Sequence, residues 1–194
     1  MNLDLHSLSE SIYSICAKHG ISLETCWIAR KYNQVADDLS RIVDYDDYGV
    51  NPEFFAYIDS LYGPHSIDRF ANECNAVLPR YNSLFYTPST EAVDAFSVDW
   101  RFENNWLVPP VYLIPKVLNY LRNCRAKGTV VAPDWPSSPF FPMLFGNSAC
   151  FKPFIVETLV FKCGDIYKQG INKMSVFGSN SFTSKVLVIR LDCS

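Results

Sequence analysis

Apolar residues at Leu5, Leu8, Ile12 and Ile15 recur at spacings of three and four, which predicts an amphipathic helix over residues 4–18, closed by His19-Gly20. From Ile21 to Ile28 the apolar positions alternate instead, at Ile21, Leu23 and the Cys26-Trp27-Ile28 end, and a strand is expected. A polar loop, Arg30-Lys31-Tyr32-Asn33, leads into a helix from about Gln34 to Val43 with Val35, Ala36, Leu39 and Val43 on one side. Asp44-Tyr45-Asp46-Asp47-Tyr48-Gly49 reads as a solvated acidic linker, whose carboxylates also offer oxygen ligands to a cation. Asn51-Pro52-Glu53 is a helix start, with Asn as cap and Pro at the first helical position. Phe54, Phe55, Ile58, Leu61 and Tyr62 give that helix a broad apolar face, and Gly63-Pro64 ends it.

The pattern is densest from Trp100 to Pro136. Val108-Pro109-Pro110-Val111-Tyr112, a helix ending in Gly, and the β-branched run Thr129-Val130-Val131 predict a strand end, a crossover helix and the next strand. In open α/β sheets ligands bind outside the carboxyl ends of the strands, so the Pro109-Pro110 loop is the place for any chemistry. The same prolines also serve simply to stop a strand and start a helix. Downstream, Ser137 to Leu144 is apolar and Pro-broken and is expected to pack over the strand ends. Phe140, Phe141, Phe145, Phe151 and Phe154 suit a core, and suit base stacking as well. Val156 to Phe161 and Lys185 to Leu191 read as two strands joined by a Gly-, Asn- and Ser-rich loop from Gly164 to Ser184.

Composition narrows this picture. With 194 residues, 48% hydrophobic and 15% aromatic, the chain holds one domain, or one domain and a piece of another, and disorder is excluded. A net charge of -3 gives no global basic field, so nucleic acid is left to a local patch such as Arg101, Arg122, Arg125 and Lys127. The seven cysteines form no C-x-x-C pair, and with three histidines no cluster has zinc-site spacing. Reduced thiols point to an intracellular protein, cytoplasmic or nuclear. Met1 to Glu10 lacks the basic start and apolar core of a signal peptide, and no apolar run approaches a membrane span, so no membrane partner is expected.

Trp27-Ile28-Ala29-Arg30-Lys31-Tyr32-Asn33-Gln34-Val35-Ala36-Asp37-Asp38-Leu39-Ser40-Arg41 resembles the end of the RNase H domain of retroelement polyproteins, where W-I-P-R is followed by N-x-x-A-D-x-L-S-R. Ala29 departs from that pattern, standing where the family usually has Pro. The resemblance implies that Asp37 is the last of four carboxylates holding two Mg²⁺ ions for attack on an RNA phosphate. Two-metal chemistry needs the whole oxygen cluster, and the family's other carboxylates lie on upstream strands that are not in this sequence. Asp37 is thus a metal ligand only in a complete RNase H domain; otherwise Asp37 and Asp38 are first-turn acids favoured by the helix dipole.

Asp68-Arg69-Phe70-Ala71, Asn75, Pro79-Arg80-Tyr81-Asn82-Ser83, Val93-Asp94-Ala95-Phe96, Asp99-Trp100, Pro109-Pro110 and Pro133-Asp134-Trp135-Pro136 follow in order. This succession resembles the region downstream of RNase H in DIRS-type tyrosine-recombinase retrotransposons, which is similar to phage-type DNA N6-adenine methyltransferases. With the RNase H segment, the resemblance runs from about residue 5 to 192. It implies S-adenosylmethionine as cofactor, with Asp68, Phe70 and Asp94 on the cofactor side and Pro109, Pro110 and Tyr112 at the catalytic motif. That motif, D/N-P-P-Y/F, holds the exocyclic amine with a polar side chain and a carbonyl and stacks the flipped base on a ring. Here Val108 stands at the polar position and Val111 at the aromatic one, Tyr112 comes one residue late, and Arg69-Phe70-Ala71-Asn72 replaces the usual Gly-rich turn after Asp68.

The expected fold class is therefore α/β: a three-layer, Rossmann-like, methyltransferase-type sheet over residues 50–192, preceded by a truncated RNase H-like helix-strand-helix over residues 1–48. The implied function is that of a retrotransposon polyprotein fragment, a methyltransferase-like pseudoenzyme module associated with reverse transcriptase and RNase H and without catalysis of its own. Two alternatives stand beside it: an S-adenosylmethionine-dependent DNA adenine N6-methyltransferase, and a non-enzymatic nucleic-acid-binding or interaction module. The implied partners are DNA or an RNA–DNA hybrid and the upstream parts of the same element.

Overall fold

The computed structural model describes residues 3–34, 36, 47–146, 150–162, 164, 166–170, 173 and 175–194. The chain divides into two compact units, Met1–Ile42 and Val43–Ser194.

In the first unit the 3.6-residue pattern forms α1 (Leu3–His19), and the chain leaves it through Gly20, whose φ of 65° is the left-handed conformation that glycine adopts without cost. The apolar stripe of α1 at Leu5, Leu8, Ile12 and Ile15 is exposed. The strand expected over residues 21–28 is not formed: the segment has no regular secondary structure and pairs with no other strand among the described residues. Alternation fixes which face a side chain takes, whereas a strand also needs a neighbour for its N–H and C=O groups. A single 3-10 turn, Arg30–Tyr32, follows. Of the helix expected from Gln34 to Val43, only Gln34 and Ala36 are described, both helical; Asp37 and Asp38 lie outside the described residues.

The second unit runs β1 (Tyr48–Val50), α2 (Pro52–Tyr62), β2 (Ile67–Asp68), β3 (Asn82–Ser83), β4 (Ala92–Val93), β5 (Asn104–Leu107), α3 (Ile114–Cys124), β6 (Lys127–Pro133), α4 (Phe141–Leu144), β7 (Ile155–Phe161), β8 (Tyr167–Gln169) and β9 (Val186–Asp192). It is a mixed α/β structure on a five-stranded mixed sheet in the order β2-β5-β6-β9-β7. β2, β5 and β6 are parallel, and β9 is antiparallel to both of its neighbours. The parallel pair β3–β4 adjoins the outer side of β2 through a bridge between Asp68 and Tyr81. The chain thus steps outward from β2 in one direction to β3 and β4, then returns to β5 and β6 on the other side of β2.

The predicted strand, crossover helix and strand around Pro109-Pro110 are β5, α3 and β6. The helix does not end at Gly128, as its sequence implies; it ends at Cys124, and Arg125 takes the left-handed turn with φ 52°. Gly128 lies inside β6, where a Cβ would come within 2.5 Å of the Asn105 carbonyl oxygen. Glycine is required there by the close approach of β5 and β6 rather than by a helix stop.

Alternate residues of the central strands feed two cores. Leu107, Val130, Ala132, Leu187 and Ile189 pack with α3 through Ile114, Val117, Leu118 and Leu121. Trp106, Val131 and Val188 face the other way, against Phe55, Ile58 and Tyr62 of α2. Two expectations fail here. Tyr48 and Gly49 belong to a buried strand, and the Gly164–Ser184 connection contains β8, which pairs antiparallel with β1. Burial of Tyr48 and Tyr167 against Phe177 supplies the driving force that the surrounding polar residues conceal. Of the five phenylalanines offered for core or stacking, Phe140 is fully buried, Phe141, Phe145 and Phe154 pack against the core, and Phe151 is exposed. Among the described residues, no helix is long and apolar enough to cross a membrane.

Candidate functional site

The point between β2 and β5, where the strand order reverses, leaves a crevice beyond their carboxyl ends. A cavity of about 270 Å³ occupies it, close to the lower end of ligand-site volumes of roughly 300–1,000 Å³. Arg69, Phe70 and Ala71 after β2, Asn82 and Ser83 of β3, Asp94 after β4, and Val108, Pro110 and Tyr112 after β5 all contribute to its wall. Its exposed lining residues, Leu84, Phe85, Asp94 and Tyr112, form the mouth, while Arg69, Asn82, Ser83 and Val108 are buried and form the floor.

Four residues singled out from sequence therefore meet at one cavity: Phe70, Asp94, Pro110 and Tyr112. Asp94 caps the turn Ala95–Ser97, its carboxylate accepting from the Phe96 amide at 3.0 Å, and it adopts φ 59°, uncommon for a residue with a side chain. Phe70 packs edge-on against Phe96 and Trp100, so the aromatic wall is braced from behind. Pro109 is buried, and its carbonyl accepts from the Tyr48 hydroxyl at 2.7 Å, which ties β1 to the Pro109-Pro110 loop. Val108 belongs to the α2-side core as well as to the cavity wall.

Asp68 sits one layer deeper, beside a smaller space of about 10 Å³ shared with Tyr48, Phe70, Val77 and Trp106. Its Oδ2 accepts from the Val77 amide at 3.3 Å, while its Oδ1 has no hydrogen-bond partner among the described residues. Burial pushes the Asp68 carboxyl up to about 7, partly offset by the amides of Val77 and Phe70.

Sequence reading missed the buried polar group at the floor. The Arg69 guanidinium donates from Nε to Asn105 Oδ1 at 2.7 Å, from one terminal nitrogen to Asn82 Oδ1 at 2.8 Å, and from the other to the Asp99 carbonyl at 3.3 Å. Asn105 in turn directs its Nδ2 at the carbonyls of Trp100, Glu103 and Lys127. Among the described residues Arg69 is in hydrogen-bond contact with no carboxylate, and burial, partly offset by the attraction of Glu103 and Glu91, holds its guanidinium below the usual arginine range. The one available signal was the pair Asn104-Asn105 heading an otherwise apolar strand, because polar side chains inside a strand are kept there by buried partners.

The four cations offered to nucleic acid are not brought to this site. Lys127 opens β6, and Arg122 and Arg125 end α3, all at the opposite end of the parallel strands from the Pro109-Pro110 loop. Arg101 is paired with Asp99. Asp37 lies outside the described residues, as do Asp44 and Asp46 of the acidic run, and among the described residues no group of three or more His, Cys, Asp or Glu is placed to hold a metal ion.

Comparison with protein-family models finds no match, and neither does comparison with curated proteins.

Proposed function

We propose that residues 47–194 form a methyltransferase-like module of a retrotransposon polyprotein that binds a nucleoside-type ligand, S-adenosylmethionine first among them, without transferring its methyl group. The observation that carries this reading is the convergence of Phe70, Asp94, Pro110 and Tyr112, far apart in sequence, on one cavity at the strand-order reversal. The antiparallel β9 between β6 and β7 also supports a Rossmann-like, methyltransferase-type sheet, whose edge is often closed in this way. The residues present suit the cofactor. The rings of Phe70 and Tyr112 offer apolar contact to a base and attraction to a sulfonium, and Asp94 offers a carboxylate at the mouth.

Transfer is another matter. Val108 provides no acceptor for an exocyclic amine, Val111 provides no ring, and one lone pair of the Pro109 carbonyl is already taken by Tyr48. Calorimetric titration with S-adenosylmethionine tests the reading, and binding in the micromolar range, about -8 kcal/mol, is expected. Incubation with methyl-labelled cofactor and DNA should then leave the DNA unlabelled. Labelled N6-methyladenine would replace the reading with that of a working methyltransferase, and a folded protein that gives no heat would remove the cofactor from it.

One observation favours a second reading, a nucleic-acid-binding module. Phe85 and Tyr112, on the mouth, are 76% and 70% exposed, and Tyr86, next to Phe85 in the chain, is 78% exposed. Exposed rings around a cavity are stacking platforms for unpaired bases. Salt-dependent binding of single-stranded DNA, lost in Phe85→Ala with Tyr112→Ala, would support it.

A further inference from the structure

The apolar residues of α1 make a narrow seam. Leu5, Leu8, Ile12 and Ile15 follow one another at intervals of three, four and three, the a and d positions of a heptad, and they are 63%, 57%, 42% and 56% exposed. A helix that packs on a sheet or a globular core presents a wider stripe, with apolar residues at e or g as well. Here the flanking e and g positions hold Ser9, Ser11, Cys16 and Lys18. A seam of this width fits between helices, where each a or d side chain enters a hole in the facing helix. Among the described residues no other helix of the chain is free to supply that face. α2 and α3 bury their apolar faces in the two cores of the second unit, and α4 is a single turn.

We propose that α1 is a self-association element whose occupant is α1 of a second copy of this chain, lying antiparallel to it. Charge sets the direction. The first turn of α1 carries Asp4 in the sequence and the last carries Lys18 and His19. Parallel helices would set like ends side by side. Antiparallel helices set the acidic first turn of each beside the basic last turn of the other and oppose the two helix dipoles. In that arrangement Leu5 layers on the partner's Ile15 and Leu8 on the partner's Ile12, twice over, about a two-fold axis at the level of Glu10. Asp4 and Lys18 both occupy g positions, which face each other across an antiparallel seam. The charges nearest the axis stay out of the contact, because His6 and Glu10 hold each other at 3.3 Å on the outward b and f positions. Two helices of 17 residues make a short pair, so the association is weak and depends on concentration. It requires neither the cavity of the second unit nor a ligand in it.

Sedimentation equilibrium of the full chain is the test. The weight-average mass should rise from that of one chain toward that of two as the protein is concentrated through the micromolar range. Leu8→Lys combined with Ile12→Lys keeps helix propensity and places cations at the central layers, so it should hold the mass at one chain throughout. Both side chains are exposed in the single chain, and the thermal midpoint of the second unit should stay where it is. Tyr13→Lys, outside the seam and 76% exposed, should leave the dimer intact. Direction is read separately. Ser11 stands close to the partner's Ser11 beside the antiparallel axis and away from it in a parallel pair. Ser11→Cys should therefore give, with a mild oxidant, a disulfide-linked dimer that the parent does not form. A chain that stays single at every concentration overturns the proposal, and so does a dimer that survives Leu8→Lys with Ile12→Lys. A dimer lost in that variant but never linked through Ser11→Cys overturns the antiparallel pairing.

Discussion

The Tyr48 hydroxyl donates a 2.7 Å hydrogen bond to the carbonyl of Pro109, 61 residues away in the chain. It fastens the first strand of the second unit to the loop that roofs the candidate cavity. Tyr48→Phe keeps the ring contacts with Tyr167 and Phe177 and deletes this bond. The expected loss is about 1–2 kcal/mol, since a buried carbonyl is left without its donor. Urea denaturation reads it, and an unchanged midpoint would show that the loop is held by packing alone.

Asp68 makes stability depend on pH in an unusual direction. Its carboxyl stands at about 7 in the folded protein against 3.8 unfolded, so between these values the folded state keeps a proton that the unfolded chain releases. The contribution of the group is full below about pH 4 and is lost as the pH rises to 7, by up to roughly 4 kcal/mol at about 1.4 kcal/mol per pH unit. Asp68→Asn has no charge to bury. It should match wild type near pH 4 and exceed it clearly at pH 8, by denaturation midpoints at the two values.

His65 works in the opposite sense. Its ring is buried between the Asp59 carboxylate at 2.6 Å and the Thr129 hydroxyl at 2.8 Å, and burial outweighs the carboxylate, holding its pKa below 6.5. The unfolded chain takes up the proton first, so this part of the stability is present above pH 6.5 and falls as the pH drops below it. In wild type the Asp68 and His65 slopes oppose each other over that range. In Asp68→Asn the His65 slope should emerge alone, as a midpoint that rises from pH 5 to 6.5. A flat profile would mean that the imidazole titrates alike in both states.

Asn105 is fully buried and joins Arg69 to three main-chain carbonyls. Asn105→Leu fits the volume but strands a guanidinium and the carbonyls together. A loss of about 3–5 kcal/mol is expected, enough to unfold a domain of ordinary stability. Circular dichroism and the thermal midpoint decide it, and a variant with a wild-type midpoint would show that Arg69 finds other acceptors.

The α/β unit from Asn104 to Pro133 was legible because each of its signals was local. A Pro pair follows the strand, a Pro sits in the first helical turn, and a β-branched run forms the buried strand. The cavity could be anticipated as a place because the Pro109-Pro110 loop had to lie at a strand's carboxyl end. What eluded the sequence was decided by distant partners. Tyr48 looked solvated among aspartates until Phe177 and Tyr167 covered it, and β8 was hidden in a polar connection until β1 paired with it. Ile21 to Ile28 shows the converse, a strand pattern that found no partner. Arg69, Asn82 and Asn105 left almost no trace, because side chains from three separate strand ends make a polar group that no single stretch announces.

The place of β9 between β6 and β7 sets an order on biosynthesis. A nascent chain emerging from the ribosome can dock α3 on β5 and β6 early, but β7 has nothing to pair with until Val186–Asp192 follows it out. Until then the inner edge of β6 is an open row of donors and acceptors beside Val130, Val131 and Ala132, which the finished protein buries completely. A ribosome paused before Val186 therefore holds a sheet split in two, at the stage when another strand is best able to invade it.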